Sequence, residues 1–372
     1  MPTMLTRRHI LLGLLPAAAA LRFTGAAAQA GPSTPATQPA AAVRLSANEN
    51  PYGPSPSARR AIAASVETAW QYPSTQGAVL KSLIAAREGL SPEHVMLGEG
   101  SGEILRIAAL AFSNGEGEVV TPWPTFGFLP EYGRRLGATV REIPLGEAMN
   151  HDLPAMDAAV GARTRLVYVC NPNNPTGTFL SGDALRPFVS AVARQAPVVV
   201  DEAYADLVED WRRHTLTDRI LADEDVVVTR TFSKLHGLAG LRIGYALARP
   251  ALIQRLERYR MSMLNLPGLA AATASYEDLE FQTWSRQKIR EALALTTSVL
   301  DDIGRPHTGA GPVNFAFFDT GGPLAAFAAT MREQGYLVGR PFPPYENWCR
   351  VSMGTVEQMT AFAGVLRTHY AA

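Results

Sequence analysis

Between residues 95 and 247 the chain alternates short apolar runs with stretches of helical period. The apolar runs lie at 95–97, 118–121, 139–143, 166–170, 198–200, 226–229 and 243–247. Helical stretches at 103–112, 126–136 and 185–194 fall between them. A strand such as Val198-Val199-Val200 is apolar at every position and leaves no face for water. It belongs in a sheet covered on both sides, and strand–helix alternation makes that sheet mostly parallel. The expectation is an α/β fold with a mostly parallel seven-stranded sheet flanked by helices. Ahead of this region, helical period runs through 57–69 and 77–89. Beyond residue 250 the rhythm changes to a helical region through 291–303, strands at 313–318, 336–338 and 349–352, and helices at 324–334 and 356–370. That pattern reads as a smaller α+β domain. The expected division is an N-terminal arm and small-domain segment at 43–70, a large domain at 71–260 and a small C-terminal domain at 261–372.

Open α/β sheets bind ligands beyond the carboxyl ends of their strands, and the chemically distinctive residues fall there. Residues 229–246 read TRTFSKLHGLAGLRIGYA, with Lys234 in a Gly-rich connection between two apolar runs and Arg242 eight residues on. Burial lowers the pKa of such a lysine, so it is a covalent nucleophile or an anion ligand, unless it is a loop lysine at the sheet's rim. Gly98-Glu99-Gly100-Ser101-Gly102 opens a helix. Its free N–H groups suit a phosphate, or Ser101 caps an ordinary tight turn. In Asn171-Pro172-Asn173-Asn174-Pro175-Thr176-Gly177 two prolines and a glycine fix a rigid loop that aims Asn174. Asp201 ends the valine run and precedes Glu202-Ala203-Tyr204. An acid flanked by apolar surface needs a cationic partner, such as a protonated ring nitrogen, unless it caps a helix. Arg350, amid apolar strand neighbours, suits bidentate recognition of a carboxylate, or faces outward to water. No residue is assigned to a metal.

Lys+Arg and Asp+Glu both number 34, which gives no electrostatic case for a nucleic-acid partner. At 372 residues and 47% hydrophobic, the chain can bury two sizeable cores. Cys170 and Cys349 each sit in an apolar run and read as buried free thiols. The N-terminus is separate from the fold. Arg7-Arg8 precedes an apolar, Ala-rich run, and Ala28-Gln29-Ala30 is a small-x-small cleavage site. Residues 1–30 are expected to be a twin-arginine signal peptide cleaved after Ala30, and 31–42 a disordered Pro/Ala linker. That predicts a periplasmic or otherwise exported protein, handled by the twin-arginine translocase, and a cofactor loaded before export.

Taken together, the motifs resemble the fold-type I aminotransferases that use pyridoxal 5′-phosphate, most closely the histidinol-phosphate aminotransferase branch. The resemblance rests on Ala47-Asn48-Glu49-Asn50-Pro51, Tyr72-Pro73, Pro124-Thr125-Phe126-Gly127, NPNNPTG at 171–177, Asp201-Glu202-Ala203-Tyr204, Ser233-Lys234 with LAGLR at 238–242, and RVSMG at 350–354, in family order. It implies transamination between an amino acid and a 2-oxo acid through a Lys234 Schiff base, with Lys234 as proton carrier. Asp201 would pair with the ring nitrogen. Tyr204 and Asn174 would bond the ring's phenolic oxygen, and Phe126 would stack on the ring. Ser101, Gly102, Ser233 and Arg242 would hold the phosphate, with Tyr72 reaching in from the second subunit of a homodimer. Arg350 would bind the substrate α-carboxylate, with Arg340 and Asn48 as further substrate contacts. The same residues would serve decarboxylation or racemisation, and a non-catalytic exported binding protein is a third reading that Lys234 opposes.

Three departures stand out. Phe126 replaces the family's frequent tyrosine; Arg340 follows an extra glycine; and only the Pro/Ala linker stands where a substrate-closing N-terminal segment is usual. These favour a substrate without a phosphate. His236 reads as a loop histidine with satisfied partners, the other reading being a place at the substrate entrance.

Overall fold

The structure, a computed structural model, describes residues 42–73 and 75–371. The expected leader and the linker through residue 41 lie outside the described residues. Eleven strands follow in order: β1 (Val43–Arg44), β2 (Val95–Gly98), β3 (Glu118–Trp123), β4 (Thr139–Pro144), β5 (Thr164–Cys170), β6 (Val198–Asp201), β7 (Val226–Thr231), β8 (Gly244–Ala248), β9 (Phe315–Asp319), β10 (Tyr336–Leu337) and β11 (Trp348–Ser352). Seven of them form one sheet in the order β2-β8-β7-β6-β5-β3-β4. All pairs among β7, β6, β5, β3 and β4 are parallel, and β8 runs antiparallel to both of its neighbours. The mostly parallel seven-stranded sheet is therefore present, with one reversal.

Alternate residues of the central strands supply the cores of opposite faces. Val167, Val169, Val198, Val200, Val226 and Val228 belong to one cluster, and Leu166, Tyr168, Val199 and Val227 to the other. This is why those strands read as apolar throughout. Edge strand β4 differs: Arg141 and Glu142 keep it half open to water and oppose pairing with another sheet.

The strands outside the large sheet form two separate pairs, β11 antiparallel to β9 and β1 parallel to β10. Strand β1 is two residues long, too short to carry a sequence pattern, and Leu45 just after it joins the core of Phe318, Val351 and Phe362. The N-terminal stretch is thus built into the C-terminal unit, while the helix Pro56–Ser65 packs on the helix Leu266–Glu277. The helical region expected at 291–303 is the end of a longer helix, Leu279–Asp302. Its first half hides its period because buried positions are polar: Gln282 Nε2 donates to the Ser275 carbonyl (2.7 Å), and Ser285 Oγ meets Asn50 Nδ2 (2.8 Å).

Candidate active site

A cleft of about 400 Å³ opens at the carboxyl ends of β5, β6 and β7. Ser101, Gly102, Phe126, Asn174, Asp201, Tyr204, Ser233, Lys234 and Arg242 all line it. The register explains the convergence, since β6 sets Asp201 level with Cys170 on one side and Thr229 on the other.

Asp201 is 1% exposed. Thr229 Oγ1 donates to its Oδ1 (3.0 Å) and Tyr168 OH donates to its Oδ2 (3.2 Å). Two hydroxyls orient the carboxylate without neutralising it, and burial raises its pKa to about 6. Lys234 sits across the cleft. Burial, and next the nearby charge of Arg350, lower its pKa to about 8, and Nζ donates to the Asn48 carbonyl (3.0 Å). An amine held near 8 is partly neutral at physiological pH and available as nucleophile and base.

Three asparagines of the 171–177 loop have separate tasks. Asn171 exchanges bonds with the main chain of Leu180, and Asn173 accepts from Thr125 Oγ1 (2.8 Å) while donating to Thr176 Oγ1 (2.9 Å). These two fix the loop, and Asn174 is left facing the cleft, where its Oδ1 accepts from Arg350 Nη1 (2.6 Å). Arg350, from β11, also donates to the Ser46 carbonyl (2.8 Å). It is 8% exposed and its Nε has no partner among the described residues. Tyr204 OH accepts from Asn48 Nδ2 (2.9 Å), and burial raises its pKa.

At the other end of the cleft the helix Ser101–Phe112 begins at Gly100 with no side-chain cap, which leaves N–H groups at its start for an anion. Arg242, itself in the left-handed region (φ 56°), donates to the Glu99 carbonyl (3.2 Å) beside that start. At Gly100 (φ 71°) a Cβ would be strained by the left-handed backbone and would push the Arg242 guanidinium from its present place. The approach of that arginine to the helix terminus therefore favours glycine.

Four expected residues, Arg350, Tyr72, Arg340 and Asn48, do not line the cleft themselves, and Arg350 reaches it through its bond to Asn174. Tyr72 is 85% exposed and does not line the cleft. Arg340 is exposed, stacks over Phe342 (4.5 Å) and donates to the Pro341 carbonyl (3.2 Å). Asn48 is buried behind Tyr204 and uses both ends of its amide there, with Oδ1 accepting from Ser352 Oγ (2.8 Å). His236 is a satisfied loop residue: it is 1% exposed, and its Nδ1 lies 2.8 Å from Ser275 Oγ. Cys170 and Cys349 are free and buried. Sequence reading missed Tyr168, Thr229 and Thr231. The signal was present at the end of β7 and just beyond it, where Thr229, Thr231 and Ser233 place hydroxyls at every second residue up to Lys234. It also missed Phe128, whose ring packs on Phe126 with centroids 4.6 Å apart.

The family model for aminotransferase class I and II matches residues 40–366. The chain belongs to that family. Its reaction is transamination and its cofactor is pyridoxal 5′-phosphate. Among similar proteins, the histidinol-phosphate aminotransferase of Moorella thermoacetica is 35% identical over 87% of this chain and 84% of its own length. Histidinol-phosphate aminotransferase 2 of Pseudomonas fluorescens Pf-5 is 36% identical over 88% of this chain and 89% of its own. The crystal structure of the histidinol-phosphate aminotransferase from Sinorhizobium meliloti, in complex with pyridoxal 5′-phosphate, superposes on this aminotransferase with a TM-score of 0.82 at 27% identity, covering 89% of this chain and 91% of that one.

Proposed function

We propose that this aminotransferase moves the amino group of an unphosphorylated amino acid to a 2-oxo acid, with the cofactor held in the cleft described above. The chain's residues fit that group. Asp201 is a buried acid held by two hydroxyls and the Ala203 main chain, with no cation bonded to it, and a cationic ring nitrogen is the partner it lacks. The uncapped start of the Ser101–Phe112 helix, Arg242 and Ser233 form the cradle for a phosphate. Phe126 offers a ring face, and Asn174 and Tyr204 offer polar groups for the ring's oxygen. When bound, pyridoxal phosphate supplies a ring that accepts the electron pair released at the substrate's Cα. Lys234 would hold the group covalently and, as a free amine, would carry the proton from the substrate's Cα. Arg350 holds the α-carboxylate, with its unpartnered Nε as a further donor. Tyr204 orients the ring, and Asn48 orients Tyr204.

The observation that carries the substrate reading is Arg340. Turned onto Phe342 and the Pro341 carbonyl, it offers no preformed phosphate cradle beside Arg350. A second reading, histidinol phosphate as amino donor, is favoured by the names of the similar proteins. The loaded enzyme should be mixed with single amines, namely aromatic, apolar and acidic amino acids and histidinol phosphate, and the 2-oxo acid or other carbonyl product measured in single turnover. Stoichiometric product from an unphosphorylated amino acid is expected. Strong selectivity for histidinol phosphate would establish the second reading, and release of carbon dioxide would sink transamination.

Two further readings belong with this one. Exposed Val66, Trp70, Tyr72, Met261 and Met263 support a homodimer in which Tyr72 of one protomer completes the cleft of its partner. Sedimentation should give a dimer, and Tyr72→Phe should weaken cofactor binding. The Arg7-Arg8 leader supports export by the twin-arginine route. Replacing both arginines by lysine should retain the protein in the cytoplasm.

A further inference from the structure

His236 and Asp206 lie two residues beyond Lys234 and Tyr204, respectively. His236 is 1% exposed, and its Nε2 faces Asp206 Oδ2 at 3.5 Å, within ion-pair range and long for a hydrogen bond. With the Nε2 proton turned toward that carboxylate, Nδ1 accepts from the hydroxyl of Ser275, which is 0% exposed, at 2.8 Å. The ring is clasped between Phe232 (centroids 4.8 Å) and Tyr276 (6.2 Å). Asp206 is anchored in turn: Arg286 Nε donates to its main-chain carbonyl (2.7 Å). The turn carrying Lys234 is therefore tied to the turn carrying Tyr204 and to the helix Leu266–Glu277.

We propose that the His236–Asp206 pair is a positioning device for transamination, fixing the Lys234 turn against the Tyr204 turn. Neither side chain lines the cleft. The two tethered groups do meet there, with Lys234 Nζ 5.5 Å from the centre of the Tyr204 ring. A small displacement at the base of either turn moves the amine relative to the phenol, and misplacement of that kind lowers the rate of a reaction that depends on alignment. The Asp206 carboxylate can only accept, so it favours the tautomer with its proton on Nε2, and the Ser275 hydroxyl then donates to Nδ1. Packing alone would be served equally by a phenylalanine at 236.

The test uses the full chain loaded with pyridoxal phosphate. Its variants are His236→Phe, which keeps the ring between Phe232 and Tyr276, Asp206→Asn, the double variant, and His236→Gln, which can still bond both partners. The readouts are the cofactor dissociation constant, followed by absorbance, kcat and KM separately, and the thermal midpoint. The expected result for each single loss is about tenfold weaker cofactor binding and about tenfold lower kcat at unchanged KM. The double variant should be no worse than either single one, and His236→Gln should recover most of the loss. Unchanged kcat and cofactor affinity in His236→Phe, with only a lower thermal midpoint, would overturn the proposal. So would additive losses in the double variant. The proposal rests on transamination. Absence of 2-oxo acid product from the parent enzyme would therefore refute the functional reading, whereas an active parent with indifferent variants refutes the positioning pair alone.

Discussion

Among the described residues two arginines are buried, and their surroundings are opposite. Arg230, 1% exposed, gives Nη1 to Glu88 (2.7 Å), Nε and Nη2 to Glu202 (3.0 and 2.9 Å) and a further bond to Thr215, under the face of Trp211. Arg350, 8% exposed, hydrogen-bonds only to an amide oxygen and a main-chain carbonyl, with the rings of Phe342 and Phe315 beside it. Burial pulls both below the usual arginine value. For Arg230 the carboxylates of Glu88 and Glu202 reverse that and raise it well above, whereas Arg350 stays lowered. The adjacent acids Asp201 and Glu202 repeat the contrast. Glu202 is matched with Arg230, while Asp201 is oriented by two hydroxyls. A buried charge with a full opposite partner belongs to the architecture, and a buried charge held only by dipoles is kept ready for a ligand.

Substitutions on the two sides of this divide should separate activity from stability. Lys234→Ala belongs wholly to the ligand side. It should lower kcat about 10⁴-fold or more, as loss of both nucleophile and proton carrier requires, while the thermal midpoint of the cofactor-free protein stays level or rises. Arg230→Met should do the reverse. With Glu88 and Glu202 left buried and unmatched, unfolding in denaturant should show about 3–5 kcal/mol of lost stability. An Arg230→Met protein of parental stability would break the comparison.

Asp201→Asn sharpens it through pH. The folded-state pKa is raised from 3.8 to about 6. An acid shifted upward binds its proton more tightly when folded, so the parent loses stability as pH rises from about 4 to about 6 and stays lower above that. The shift corresponds to about 3 kcal/mol. Cofactor-free Asp201→Asn should therefore be more stable than the parent at pH 8, and the advantage should shrink toward pH 4. Its affinity for the cofactor should fall at every pH. The smallest effect is expected from Arg350→Lys, which keeps a charge and loses the forked geometry. The amino-acid KM should rise about 10- to 100-fold with stability unchanged.

What could be read in the sequence follows the same line. Residues that act within a local string, namely Lys234, Asp201, Asn174, Arg242 and the Gly98–Gly102 turn, were legible because strand, turn and chemistry occur together. Tyr168 and Thr229 were not, because only the register between β5, β6 and β7 brings them to Asp201. Asn48 was legible as a motif residue, but its bonds to Tyr204 and Ser352 span 156 and 304 positions. No local pattern encodes such separations. Likewise Leu279–Asp302 is a single helix whose buried polar positions erase its period over the first half.

The bond between the Asn48 main-chain N–H and Ser352 Oγ (2.7 Å) joins the beginning and the end of the fold. It also sets a timetable for biosynthesis. Asn48 leaves the ribosome 304 residues before its partner, and Arg350 emerges only two residues ahead of that partner. Contacts of such long sequence separation form late and carry a large loop-closure cost. The nascent chain therefore has Lys234 long before it has a closed cleft. The substrate-holding half of the site comes into being only after Arg350 and Ser352 have been made.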